Sequence, residues 1–307
     1  MAHKYVLKDR LEAVPADTPV AEGTPVAEVL TSKEFVDLSF GTQDMQQSLR
    51  NLATVENTYL DVFPSFLIGS FAVPNKNHVL GSPLCFAFYL DKTNLIFLDE
   101  EGTSARLLDA IASGGVMKEP TVAHCLFEFM KLLIKNDLSY LAQIEDRMED
   151  VEEAILDHNT DAESKSMLVF RRKLLRIDTY YQQLVDMASG IAENENKLLT
   201  HEESRLFLVL VRQAERLLKR SQTLKEYSLQ LRELYQTQID IRQNDTMQFF
   251  TVITTLFAPL TLITSWFGMN FANMPGLDWE WGYPAIIVAC LVLVALELLY
   301  FRKKKWL

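Results

Sequence analysis

The chain has 307 residues and a formal net charge of −11, with 41 acidic against 30 basic side chains. That balance excludes a role that rests on neutralising nucleic-acid phosphates, which needs a basic face. Three scattered cysteines, Cys85, Cys125 and Cys290, are odd in number and fit a reducing compartment without a disulfide framework.

Met1-Ala2-His3-Lys4 leads into polar sequence with no apolar h-region, so no signal peptide is expected. Pro15, Pro19 and Pro25 make the first stretch irregular or edge-like. Val36, Leu38 and Phe40 alternate with Asp37 and Ser39, which predicts a short strand, and Asp44 to Val55 reads as a helix. Tyr59 to Val73 is strand-rich and broken by Pro64. Leu84 to Leu90 and Leu95 to Leu98 flank the turn Asp91-Lys92-Thr93-Asn94, a β-hairpin signal. Arg106 to Ala112 predicts a helix closed by Gly114-Gly115. Residues 1–119 thus read as a small α/β domain. They hold no Gly-rich phosphate loop, no nucleophile elbow and no paired catalytic carboxylates, so an enzyme is not expected. His124, His158 and His201 are isolated on helical patterns and fit surface or core roles better than metal ligation.

From Pro120, a residue suited to a first helical turn, the character changes. Phe127, Met130, Ile134, Leu138, Leu141, Ile144 and Met148 predict one amphipathic helix to about Leu156. Its far end carries Glu145, Asp146, Glu149, Asp150, Glu152, Glu153 and Asp157, read as a solvated tip. A capping box at Thr160–Glu163 restarts a helix through Leu168, Leu174, Leu175, Tyr180, Leu184 and Met187, which Glu193–Asn196 interrupts. A second box, Thr200–Glu203, opens a helix with no breaker before Pro259. Running to the end of the apolar run, it has about 65 residues and a length of about 100 Å, too long for one globular domain. Leu210, Ala214, Leu217, Ser221, Leu224, Ser228, Leu231 and Gln238 lie at coiled-coil spacing and predict packing against copies of the same helix.

Met247 to Phe267 carries no charge, enough to span a hydrocarbon core of roughly 30 Å, and a second uncharged run reaches from Tyr283-Pro284 to Leu296. Steps of three and four along the first run pick out Glu226, Gln230, Glu233, Thr237, Asp240, Asn244, Met247, Thr251, Thr254, Ala258, Thr261, Ser265 and Gly268. This face is acidic and polar before the membrane, and small or hydroxylated inside it except at Met247. Small residues on one face fit close helix packing or the wall of a water-filled pore. The continuation into acids favours the pore. Two spans cannot enclose one, so several copies are needed, with the stripe on their axis. Glu297, near the end of the second span, is a functional candidate by default; snorkelling or pairing with the basic tail is the reading favoured here.

Phe267-Gly268-Met269-Asn270-Phe271, then Met274-Pro275, Trp281-Gly282-Tyr283-Pro284 and a basic tail, resemble the CorA family of magnesium transporters over roughly residues 235–307. The chain departs from the family at Gly276, where an acid is common; the nearest acids are Asp278 and Glu280. The resemblance implies an α+β cytoplasmic domain followed by long helices and a two-span transmembrane hairpin, assembled as a homo-oligomeric, funnel-shaped channel and as a pentamer in particular. The boundaries expected are a cytoplasmic α/β domain (1–119), a cytoplasmic helical region with a long stalk helix (120–246), a pore-lining first span (247–268), an extracellular or periplasmic loop (269–282), a second span (283–301) and a basic cytoplasmic tail (302–307).

The positive-inside rule puts Arg302-Lys303-Lys304-Lys305 and both termini in the cytoplasm of an inner-membrane protein. Gly268, Met269 and Asn270 would form the selectivity filter, with Asn270 meeting magnesium through ion-bound water. Asn244, Thr251, Thr254, Ala258, Thr261 and Ser265 would line the pore, and Met247 and Phe250 would form a hydrophobic gate. For Phe250, packing against lipid or a helix stands beside that role. Glu226, Glu233 and Asp240 would be axial acids. Magnesium would be both the transported and the regulatory ion, with no cofactor and with the bilayer and further copies as partners. The methionine-centred triplet favours magnesium over zinc; a zinc, cobalt or nickel transporter and a pore-less membrane scaffold are the alternatives.

Overall fold

The computed structural model describes residues 3–16, 18–21, 23–37, 56–114, 120–157, 163–269, 279–304 and 306. The chain divides into two compact units, Met1–Arg232 and Glu233–Leu307.

The first unit is built on a seven-stranded mixed sheet. Its strands are β1 (His3–Leu7), β2 (Leu11–Val14), β3 (Val26–Leu30), β4 (Tyr59–Val62), β5 (Leu67–Val73), β6 (Leu84–Leu90) and β7 (Asn94–Leu98), in the order β2-β1-β3-β7-β6-β5-β4. Only β3 and β7 pair in parallel; the hairpins β4–β5 and β6–β7 are where Pro64 and Asp91 mark the turns. The carboxylate of Asp91 accepts from the backbone N–H groups of Thr93 and Asn94, each at 2.7 Å, which closes the second turn.

Both sheet faces are buried, which explains why β5 and β6 read as near-continuous apolar runs. One face holds Leu30, Ile68, Ala87, Tyr89, Ile96 and Leu98 around Phe35. Phe35 belongs to helix α1 (Ser32–Asp37), so Val36 and Asp37 are helical and the strand expected at 36–40 is not formed there. Thr31 and Glu34 cap each other at its start, a local signal the alternation concealed. Leu38, Phe40 and the helix expected at 44–55 lie outside the described residues. The other face is aromatic. Phe71 and Phe86 pack against each other and against Phe129, which stacks on Phe97 at 4.4 Å. Gly69 is required there, because a Cβ would stand 2.3 Å from the Phe88 ring.

Helix α2 (Thr103–Gly114) contains the expected 106–112 segment. The single helix expected from Pro120 is two: α3 (Val122–Leu133), capped by Thr121, and α4 (Asp137–Leu156). The break resets the helical phase, so Leu138 is exposed while Leu141, Ile144 and Met148 stay buried. It also buries Asp137, which pairs with Lys76 and accepts from the Tyr181 hydroxyl at 2.9 Å. Helix α5 (Glu163–Glu193) buries Met167, Phe170, Leu174, Ile177, Tyr181, Leu184 and Ala188, a stripe one residue out of phase with Leu168 and Leu175, which are exposed. The Thr160 box precedes the described start of α5, at Glu163.

The Thr200 box is formed as expected. Thr200 N–H and hydroxyl donate to the Glu203 carboxylate at 2.8 and 2.9 Å, and the Glu203 N–H returns to Thr200. It opens α6 (His201–Phe267), a helix of 67 residues. The seam expected to meet other copies is filled by the chain itself: Leu210, Ala214, Leu217, Ser221, Leu224, Ser228 and Leu231 are all buried within one chain. Asp178 on α5 accepts from Ser221 at 3.1 Å and pairs with Lys225 at 2.8 Å. The acidic run on α4 is only partly a solvated tip, because Glu145 pairs with Arg220 and Glu152 accepts from Tyr227. Both seam serines also donate back to their own helix, Ser221 to the Leu218 carbonyl at 2.8 Å and Ser228 to the Lys225 carbonyl at 2.7 Å. Leu224→Ala is expected to cost about 2–5 kcal/mol. Because the seam is filled within one chain, the loss should not depend on protein concentration in denaturant titrations followed by circular dichroism.

Burial and then the Asp137 charge hold the Tyr181 phenol well above its ordinary value of 10.0, and burial does the same for Tyr180. An unfolded tyrosine ionises near 10, so this stabilisation is complete below pH 10 and is lost as pH rises from there toward the folded value. The denaturation midpoint of the full chain is expected to fall above about pH 10. Tyr181→Phe should flatten that fall while costing about 1 kcal/mol at neutral pH.

Candidate functional site

The candidate site is the polar face of α6. No Gly or Pro interrupts the helix between His201 and Pro259, so residues three and four apart share a face. Of that face, Glu226, Gln230, Glu233, Thr237, Asp240, Asn244, Met247, Thr251, Thr254, Ala258, Thr261, Ser265 and Gly268 are all exposed in the single chain. The hydroxyls of Thr237, Thr251, Thr254 and Thr261 each donate to the carbonyl four residues back, at 2.7–2.9 Å. Their protons are therefore committed, and what each oxygen presents outward is an acceptor.

Met247 and Phe250 are also open, 61% and 59% exposed, and the Phe250 ring touches only that of Phe249 among described rings. The rest of the segment is apolar: Phe257, Leu262 and Trp266 are exposed to a similar degree. Gly268 stands where a Cβ would lie 3.1 Å from the Thr264 carbonyl oxygen. Met269 is exposed. Asn270 and residues 271–278, the remainder of the expected filter and loop, lie outside the described residues.

Helix α7 (Gly282–Lys303) is long and apolar enough to cross a membrane, as is the end of α6. Trp279, Trp281 and Tyr283 stand exposed at its start, as interface anchors do. Lys304 lies over the rings of Tyr300 and Trp306 at 5.6 and 5.2 Å at its other end. Two polar residues off the stripe escaped the sequence reading. Gln248 and Thr255 lie on the flank of the face, and the mark for Thr255 was Pro259 four residues on.

The model of the family described as "CorA-like Mg2+ transporter protein" matches residues 63–303, most of the chain. The chain belongs to the CorA family. The cobalt/magnesium transport protein CorA of Thermotoga maritima is 25% identical over 193 residues, 63% of this chain and 55% of that protein. The magnesium transport protein CorA of Wolinella succinogenes is 49% identical over 77 residues, 25% of this chain and 24% of the relative. The chain thus aligns with about half and about a quarter of these two relatives' lengths.

Among solved structures, the CorA magnesium transporter of Methanocaldococcus jannaschii superposes with a TM-score of 0.85 at 17% identity, covering 100% of this chain and 99% of that one. Full-length CmaX gives 0.75 at 18%, covering 99% and 97%. These likenesses establish the CorA fold: a soluble α/β part, a long helix and two C-terminal apolar helices. With two such spans in a CorA-family chain, this is a membrane protein.

Proposed function

We propose that the chain is one subunit of a homo-oligomeric channel that takes up hydrated magnesium. The observation that carries this reading is the unbroken polar face of α6, open in the single chain from Glu226 to Gly268. Hydrocarbon tolerates such a face only where protein or a water-filled cavity meets it. Several copies with this face inward enclose such a cavity; five is the number the family resemblance implies. The relatives named as magnesium transport proteins support the choice of ion.

Magnesium gives up its waters reluctantly. Those waters donate hydrogen bonds outward, so an oxygen whose own proton is tied to the helix, as at Thr251, Thr254 and Thr261, is the partner they need. Asn270 would offer amide oxygens at the outer end, without the tighter hold of a carboxylate ring. Asn244 would hold the hydrated ion at the inner mouth. Met247, with Phe250 one turn on, would gate by dewetting. A stripe without Cys or His suits oxygen-preferring ions. The Thermotoga maritima relative is named for cobalt as well, and hydrated cobalt would meet the same acceptors.

The basic end of α7 supports a topology with both termini on the cytoplasmic side of the cell membrane. Entry of a dication down an inside-negative potential of 100 mV gains about 4.6 kcal/mol, so uptake would need no ATP. Among the described residues no group of three potential ligands converges within one chain. For closure by intracellular magnesium, Glu226, Glu233 and Asp240 of several copies would be available on the axial face.

In proteoliposomes, Asn270→Ala is expected to cut magnesium flux at least about tenfold while the native mass of the assembly stays unchanged. Flux equal to wild type, or wild-type flux equal to empty vesicles, would overturn the reading. In a Cys290→Ser background, Thr254→Cys and Ser265→Cys should react with a membrane-impermeant methanethiosulfonate. Leu256→Cys and Ile263→Cys, on the opposite side of the helix, should react slowly; equal rates on both sides would count against a water-filled face.

A further inference from the structure

Four helices of the first unit frame a cleft. Ala110 and Ile111 of α2, Leu132 of α3, Ile134 just after it, Leu138 of α4 and Leu217 of α6 give an aliphatic floor to a cavity of about 490 Å³. That volume suits a small molecule. Leu138 is 63% exposed, more than any other large apolar side chain described in this unit. The break between α3 and α4 explains how Leu138 leaves the core; a ligand against the floor gives it something to cover it.

The rim is cationic. Lys131 is paired with Glu128 at 3.1 Å. Lys135 and Arg216 line the same cavity and have no acidic partner among the described residues, and the Gln213 amide beside them makes no hydrogen bond there. Arg216 also lines a groove along α6 with Arg212 and Lys219, which are equally unpaired among the described residues. Steps of three and four taken backward from Glu226 reach Thr223, Lys219, Arg216, Arg212, Val209 and Arg205. The face that is acidic from Glu226 onward is thus basic before it, in a chain whose net charge is −11.

The cavity and the groove meet at Arg216, so one ligand can occupy both. The cavity takes a flat, largely apolar group and offers the Gln213 amide to its edge. The groove takes anionic groups in a row. Guanidinium forks match phosphate oxygens, and Arg212, Arg216 and Lys219 follow one another at about 4.5–6 Å along the helix. A long-chain carboxylate would fill the cavity but use one cation and leave the others unpaired.

We propose that this cleft binds a nucleoside polyphosphate, with the base against Leu132, Leu138 and Leu217 and the phosphates on Arg212, Arg216 and Lys219. The site lies within the first unit of one chain and does not depend on the channel reading.

The test is calorimetric titration of the full chain in phosphatidylcholine nanodiscs, in EDTA, with ATP and separately with inorganic triphosphate. Saturable binding of ATP is expected, with triphosphate at least about tenfold weaker because it leaves the cavity empty. Arg216→Glu should weaken ATP at least about tenfold. Arg171→Glu makes the same charge change on α5, outside the cleft, and should bind as wild type. Ala110→Phe fills the cavity and keeps the cations, so it should lower ATP affinity to that of triphosphate and leave triphosphate unchanged. Leu138→Ser, at an exposed position, repeats the cavity test should Ala110→Phe lose its helical circular dichroism.

Absence of ATP binding would overturn the proposal. Equal affinity for ATP and triphosphate would also overturn it, leaving an adventitious ion only. Equal losses in Arg216→Glu and Arg171→Glu would assign the binding to net charge and overturn it as well.

Discussion

A polar group in hydrocarbon must find a partner or water, and the membrane unit of this chain leaves several without either. The outward oxygens of Thr251, Thr254 and Thr261, the carbonyl freed by Pro259 and the buried Oε2 of Glu297 all lie on helices that could cross a bilayer. A single copy satisfies the hydroxyl protons of Thr251, Thr254 and Thr261. That unit therefore carries polar atoms that its own chain does not satisfy, such as the Oε2 of Glu297. Selection of residues along α6 follows from the same constraint: acids where water surrounds the helix, hydroxyls and small side chains where it does not.

The soluble unit obeys the opposite logic, because there a single chain is self-sufficient. Its sheet is buried on both faces, one around Phe35 and the other around Phe129. The seam of α6 is occupied by α5 partners such as Asp178, and the buried Asp137 is neutralised by Lys76 and Tyr181. Within that unit α6 is packed along its seam from Leu210 to Leu231.

Much of this was legible in the amino-acid sequence. Uncharged runs of bilayer length, the capping box at Thr200, the hairpin turn at Asp91 and the three-four stripe from Glu226 to Gly268 depend on residues close along the chain, and local chemistry determines them. The motif from Phe267 to Phe271 and the basic tail pointed to the family before any fold was seen.

What the sequence alone could not settle are the matters decided by non-local packing. Spacing alone made the seam on α6 look like a contact between copies, because a heptad pattern records burial and not whose surface does the burying; only the tertiary structure shows Asp178 of the same chain on it. Periodicity ran through the break between α3 and α4, because the apolar spacing resumes on the far side and the event there is the burial of one aspartate against a lysine 61 positions away in sequence. Alternation at Val36 mimicked a strand, because the helical cap from Thr31 to Glu34 is shorter than the window that alternation uses. The orphaned oxygen of Glu297 needed atoms: a sequence names a carboxyl, and only coordinates tell whether its own chain covers it and gives it a partner.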